Sequence, residues 1–417
     1  MYQYYFQRNL VNQPPNPNNG DLDMASIRTY FATQAIALKA DGDTEWVSLH
    51  GVQSFSKTVS FSLEQAYELG KLPIYANVEG VPNIECQMSK VLDGYPLIWT
   101  LSSRTATKPD LSNRGNTKCL IGLSVYEDTS IESTGIGVSE AEISGAFVTA
   151  LSYTFPVEGF FTESVTFQGS DIVWSPDARR IQTVDIWTGA DDIDIDQDIV
   201  ADDSPIGSGG VNRRRNFLWT ATDQGLDVNG QTKDVDASTL PSDITGISSS
   251  GTNNIVNGVY SCSVQNISVN ANITRDDIFQ LGRHTFFHRT IKFPIEVTTE
   301  IGVIVGSGDL ISATNRGIFT PDSATQCDNN ANLSEKTIRL STCEGTRIYL
   351  GTKNKLSNVS YSGGDANGGN VICTYSYLTF NDFTVVHSTD EMLNINDTAV
   401  SESWWDDRQT LTYLHGV

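Results

Sequence analysis

Apolar and polar side chains alternate over several stretches of the chain. Val59 and Phe61 alternate with Ser60 and Ser62. Further on, Ile291, Phe293, Ile295, Val297, Thr299, Ile301, Val303 and Val305 take every second position, with Lys292, Glu296, Thr298 and Glu300 between them. A period of two marks a strand with one buried face. Fully extended, that second run would reach roughly 50 Å, well beyond an ordinary strand, so the pattern predicts a bend or bulge within it.

The two alternating stretches belong to a repeat. Val52-Gln53 recurs as Val264-Gln265, Leu69-Gly70 as Leu281-Gly282, and Pro82 as Pro294, each about 212 positions later. Twice that displacement nearly equals the chain, which predicts a duplicated unit with domains 1–203 and 204–417. In the first copy Ser62 and Gln65 have capping-box spacing and Gly70 suits a helix stop, so a short helix is predicted between two strands. The second copy keeps that punctuation as Thr274, Asp277 and Gly282. Beyond Pro82 the alternation Ile84, Cys86, Met88 is one residue out of phase with the second copy, which predicts a bulge or one-residue indel near Gly80–Asn83 and an interrupted ladder at the proline. The segment 162–167 aligns with 374–379 at the same displacement, and the Gly-rich stretch 361–370 reads as a hairpin loop.

Composition narrows the function. Fifty acidic and 27 basic side chains give a net charge of −23, which opposes general binding to nucleic-acid phosphates or anionic membranes. The same acidity suits solubility, or a wall along which DNA slides. The six cysteines are widely separated with no CxxC pair, so reduced thiols are expected, with neither a disulfide framework nor a zinc ribbon. No run of about eighteen apolar residues and no basic-then-apolar leader is seen, which leads to an expectation of cytosolic synthesis without membrane insertion.

Candidate chemistry is sparse. Asp191, Asp192, Asp194, Asp196 and Asp198 cluster as calcium ligands do, but Gln197 and Asp203 fall where an EF-hand loop needs glycine and glutamate, so the run reads as an acidic linker or strand face. His284 and His288 are four apart with no third ligand evident, and Gly207-Ser208-Gly209-Gly210 lacks the end of a phosphate loop and reads as linker. Arg213-Arg214-Arg215 suits acidic partners better than RNA in so acidic a chain, and Trp404-Trp405 caps a core or anchors to a neighbour. No catalytic signature appears, so the expectation is a protein without enzymatic activity, cofactor or metal.

The landmarks together resemble bacteriophage tail tube proteins. The likeness is carried by Gly51-Val52-Gln53-Ser54, Tyr67-Glu68-Leu69-Gly70-Lys71-Leu72, Leu92-Asp93-Gly94-Tyr95-Pro96, the segment 152–159, and Phe293-Pro294-Ile295-Glu296-Val297. This resemblance implies a mainly β chain of two tandem tail-tube-like β-sandwich or barrel domains, each with a short flanking helix. It further implies a virion protein assembled in the host cytoplasm, with three subunits per pseudo-sixfold ring, rings stacked into a hollow tube, other tail proteins as partners, and DNA passing without sequence-specific binding. A neck or distal-tail position, or an adhesin-type module binding host glycan, is the alternative.

Overall fold

A computed structural model describes residues 34–44, 46–126, 139–175, 211, 217–219, 255–256, 259–260, 264–283, 285–304, 335–336, 338–342, 344–362 and 370–387. The protein is mainly β. Its first half holds β1 (Gln34–Ala40), β2 (Val47–Ser48), β3 (Val52–Ser60), β4 (Leu63–Tyr67), β5 (Ile74–Glu79), β6 (Asn83–Val91), α1 (Ile98–Ser102), α2 (Leu111–Asn116), β7 (Cys119–Val125), β8 (Ser139–Pro156), β9 (Thr162–Gly169) and β10 (Asp171–Ser175). Its second half holds β11 (Phe217–Trp219), β12 (Ile255–Val256), β13 (Val259–Tyr260), β14 (Val264–Asn272), β15 (Arg275–Ile278), β16 (His288–Ile291), β17 (Glu296–Ile304), β18 (Arg339–Thr342), β19 (Arg347–Tyr349), β20 (Lys355–Ser362), β21 (Ile372–Phe380) and β22 (Thr384–Val386).

The predicted repeat is physical. In the first half the strands run β3-β6-β9-β8, and in the second β14-β17-β21-β20. A second layer repeats as well: β1-β7-β8-β10 is matched by β11-β18-β19-β22. Even the irregularities recur. One bulge falls at Gln53 and at Gln265, another at Thr149 and at Ser357. At the second pair, the Thr149 hydroxyl donates to the Thr166 carbonyl at 3.2 Å and the Ser357 hydroxyl to that of Ser376 at 2.9 Å. A bulge leaves one residue outside the ladder, and here its hydroxyl bonds back to the neighbouring strand.

The one-residue phase difference also has a location. Ser60 opposes Asn83, whereas Asn272, 212 positions on, opposes Glu296, which is 213 beyond Asn83. The Gly80 amide donates to the Ser62 carbonyl as Lys292 does to Thr274, still 212 apart, so the extra residue lies after Lys292. Ile84, Cys86 and Met88 in β6 and Val297, Ile301 and Val303 in β17 are accordingly all buried. The long run from Ile291 is divided as predicted, with 292–295 between β16 and β17. Pro82 and Pro294 stand just before a strand, where a missing N–H costs no ladder bond. The closing strands align two residues away from the sequence estimate: Val165 and Phe167 correspond to Tyr375 and Tyr377, 210 positions on, not 212. An even shift keeps the same face inward.

Strand β8 joins the layers. Its first part pairs with β7 and β10, its last part with β9 and with β14 of the other half, from Pro156 opposite Asn266 to Ala150 opposite Asn272. Eight strands therefore lie side by side as β3-β6-β9-β8-β14-β17-β21-β20. One apolar core runs beneath both halves, from Ile36 and Phe167 to Val297 and Tyr377. The boundary placed at 203/204 falls outside the described residues.

Both helices lie between β6 and β7 of the first half, and the corresponding stretch 305–334 falls outside the described residues. Helix α1 has no side-chain cap of its own. The buried Glu163 carboxylate serves instead, accepting from the amides of Ile98 at 2.6 Å and Trp99 at 3.1 Å and from the Tyr153 hydroxyl at 2.8 Å.

Candidate assembly surface

The segments predicted as capped short helices are β-hairpins in both copies. β4 pairs with β5, and β15 with β16. Ser62 and Thr274 do not cap helices; their carbonyls close the hairpin bases. Gly70 and Gly282 both have φ +85° and sit at the tips, where Lys71 N–H donates to Glu68 C=O at 3.1 Å and Arg283 N–H to Gln280 C=O at 3.3 Å. Residues that signal a helix cap and stop serve a turn equally well, and the paired strand, with Ile74, Tyr75 and Val78, decides for the hairpin. A helix this short has little stability unless it packs against a core, which these segments do not.

The hairpins are strongly apolar yet solvent-facing. Phe61, Leu63, Tyr67, Leu69, Leu72, Tyr75 and Val78 are exposed on or beside the first, and Ile278, Phe279, Leu281 and Phe287 on the second. Leu69 and Leu281 are fully exposed at the two tips. Apolar side chains gathered this densely on a surface mark an interaction site.

The bases of the hairpins differ. The second is fastened to the first half by two arginines. Arg275 donates to the carbonyls of Val148, at 3.2 and 2.9 Å, and of Gly115, and stacks over the Phe147 ring at 4.6 Å. Arg289 donates to the carbonyls of Gln168 and Gly169 at 2.9 and 3.0 Å and pairs with Asp277 at 2.9 Å. Burial, with Arg289 close by, pulls the Arg275 guanidinium down to about 10, still protonated at neutral pH. At the equivalent positions the first hairpin carries Leu63 and Asn77, both exposed.

Among the described residues, the eight-strand sheet ends in two edges, β3 and β20, each paired on one side only. Both are β-strands of eight or nine residues. Edges of that length are templates for further pairing unless covered. The solvent-facing side of the sheet is lined with small polar groups: Ser54, Ser56 and Thr58 on β3, Ser152 and Thr154 on β8, Ser268 and Asn270 on β14, Ser360 and Ser362 on β20. The charges among them are mostly acidic, such as Glu85, Glu296 and Glu300.

The acidic run Asp191, Asp192, Asp194, Asp196 and Asp198, His284 of the histidine pair, the Gly207–210 and Arg213–215 stretches and Trp404-Trp405 lie outside the described residues. Among the described residues, no group of three or more His, Cys, Asp or Glu is placed to hold a metal ion, and no helix is long and apolar enough to cross a membrane. Cys86, Cys119 and Cys373 are buried, and burial pushes the Cys86 thiol up to about 11. The arginine fasteners and the cross-half strand pairing are features that sequence reading missed. The first left a signal, since charge at Arg275 and Arg289 replaces Leu63 and Asn77 within an otherwise matching repeat.

No family model and no curated protein matches the sequence. Solved structures similar to part of the chain include a chain of the anti-feeding prophage baseplate, at 9% identity and TM-score 0.27, covering 36% of this chain and 97% of that one. A chain from the anti-feeding prophage tube-terminating cap matches at 14% identity and TM-score 0.26, covering 34% and 87%. A chain of a native gene transfer agent particle matches at 8% and 0.25, covering 36% and 99%.

Proposed function

We propose that this chain is a structural, non-enzymatic subunit of a phage-tail-like particle, and that copies join edge to edge into a ring that stacks as the wall of a DNA conduit. One observation carries the reading: the last sheet strand of the first half, β8, pairs with the first strand of the second half, β14, while the chain's own first and last sheet strands, β3 and β20, have no outer partner among the described residues. The chain already contains one joint of the kind a ring needs, and presents both halves of the next. Three copies, as the sequence resemblance implies, would supply about 24 strands. At roughly 4.8 Å spacing and about 40° tilt these close a barrel about 48 Å across the backbone, wide enough for a DNA duplex. A wall of Ser, Thr and Asn with scattered Glu holds few cations against phosphates, so DNA would pass without sticking. The exposed apolar hairpin tips would then meet the neighbouring ring or other tail proteins. Electron microscopy of the purified protein tests this: stacked hollow rings with three subunits each are expected, and a monomer under every assembly condition would end the proposal.

A further inference from the structure

A groove of about 590 Å³ opens beside the free edge strand β20, lined by Lys353, Lys355, Leu356, Leu378, Thr379 and Phe380, among others. Its place in the repeat is informative. The bulge residues Thr149 and Ser357 make Phe147 and Val148 the counterparts of Lys355 and Leu356, and the β9/β21 correspondence makes Gln168 and Gly169 those of Leu378 and Thr379. Phe147, Val148, Gln168 and Gly169 are the residues on which the base of the second hairpin is seated by Arg275 and Arg289. The groove is thus the second half's version of a seat that is filled within the chain on the first half.

We infer that this groove receives the base of the first hairpin of a second copy of the chain, delivered there when β3 of that copy adds to β20. The inference rests on the edge-to-edge reading above and goes further, fixing both register and occupant. Carried over from the β8–β14 joint, the register sets Ser60 opposite Asn358, Val59 opposite Val359, Thr58 opposite Ser360, Lys57 opposite Tyr361 and Ser56 opposite Ser362. Those pairs alternate between faces, and all but Tyr361, exposed on the core side, match their face in burial. Val59 and Val359 are half-buried on the core side, while Ser60, Asn358, Thr58 and Ser360 are exposed on the polar side. The internal joint has the same sorting, with Tyr153 and Val269 buried inward and Ser152 and Asn270 outward.

The chemistry of the two seats differs. Inside the chain, a cationic hairpin (Arg275) lies over an aromatic seat (Phe147). Between chains, the seat carries Lys353 and Lys355 beside Glu335 and Asp382, and the hairpin places Leu63 there with Glu79 directly across from it in the β4–β5 ladder. Leu63 suits Leu356 and Leu378, and Glu79 suits Lys355. Exchanging the hairpins would set Arg275 against Lys355, the counterpart of Phe147, and Glu79 near the Phe147 site, so the difference discourages each hairpin from taking the other's seat.

Two sets of variants test the inference, all at residues exposed in the single chain. Under oxidation, Thr58→Cys with Ser360→Cys is expected to give interchain disulfides, whereas Ser56→Cys with Asn358→Cys, four positions out of register, gives none. Glu79→Lys alone and Lys355→Glu alone are each expected to weaken association about tenfold, and the double variant to recover most of it. Rings seen by microscopy without the in-register disulfide, or with no charge-swap rescue, would overturn this inference and leave the edge-to-edge reading standing. Absence of any assembly by the unmodified protein would overturn both.

Discussion

In the first half β8 runs unbroken from Ser139 to Pro156 and the β4–β5 hairpin stands free, whereas in the second half the same course is split into β19 and β20 and the hairpin is tied down by Arg275 and Arg289. The strand plan, the bulges and the tip glycines are common to both. The difference teaches where a duplicated unit is able to change. Positions inside the sheet keep one pattern because a slip would turn a whole face outward. Positions at the seats and hairpin bases differ because one set already meets its partner inside the chain and the other does not.

The largest expected effect separates the joint that is closed from the edge that is open. Ala271→Asp places a carboxylate at the buried β8–β14 joint and is expected to cost about 4 kcal/mol or more, melting both halves together in a thermal scan. Val59→Asp, at the half-buried counterpart on β3, is expected to cost the single chain about 1 kcal/mol while abolishing assembly seen by microscopy. Equal losses of stability would show that the two sites are not the closed and open forms of one joint.

Each half also buries a glutamate that accepts from backbone amides, Glu163 and Glu344, and these two are set oppositely. Burial pushes the Glu163 carboxyl up against the opposing amides of Trp99 and Ile98. Burial also acts to raise Glu344, but the hydrogen bond and charge of His387, with Thr346 and Thr342, hold it below the usual carboxylate range. For Glu344 the stabilisation is present above the unfolded value of about 4.3 and lost as pH falls through the lower folded value. For Glu163 it is present below about 4.3 and lost as pH rises through the higher folded value. Acidification should therefore raise hydrogen exchange at Ile348 and Val385 before it does so at Ile98 and Trp99; parallel rises would refute the contrast. Replacing either glutamate by alanine strands buried donors and is expected to cost about 2–3 kcal/mol, read by denaturant titration.

Arg289→Ala should convert the second hairpin into the likeness of the first. The expected cost is about 1–2 kcal/mol, with amides of β15 and β16 exchanging as fast as those of β4 and β5. Unchanged protection would mean that Arg275 alone holds the base. The smallest effects should be equal in the two halves: Gly70→Ala and Gly282→Ala place a Cβ at φ +85° in open space, costing about 1 kcal/mol each through backbone strain alone.

Much of this was legible in the residues. The matched pairs Val52-Gln53 and Val264-Gln265, and the tip glycines, located equivalent structure because turn and bulge positions tolerate few alternatives. The phase slip beyond Pro82 was readable because side-chain alternation is strict within a strand. The hairpins were misread as helices because Ser62, Gln65 and Gly70 fit local rules for both, and the deciding contact, Leu63 opposite Glu79, is sixteen positions away. The β8–β14 joint left no local trace, since it pairs residues such as Tyr153 and Val269 more than a hundred positions apart. The groove was illegible for the same reason: its lining comes from β20, β21 and the residues before and after them.

The continuity of β8 has a mechanical side. In the first half, a pull on the outer layer reaches the eight-strand sheet along one covalent backbone flanked by ladders on both sides, so hydrogen bonds must shear together before the layers part. In the second half the corresponding path crosses residues 350–354, outside β19 and β20, where Gly351 turns with φ +73° as Gly145 does within β8 with φ +59°, and the path is held by backbone bonds to Ile338 and Lys336 and by the Asn354 side chain. The two halves thus carry load by different means, a continuous ladder in one and a glycine turn pinned by a buried asparagine in the other. In the proposed three-chain ring, six similar lobes would alternate in how they resist squeezing or bending.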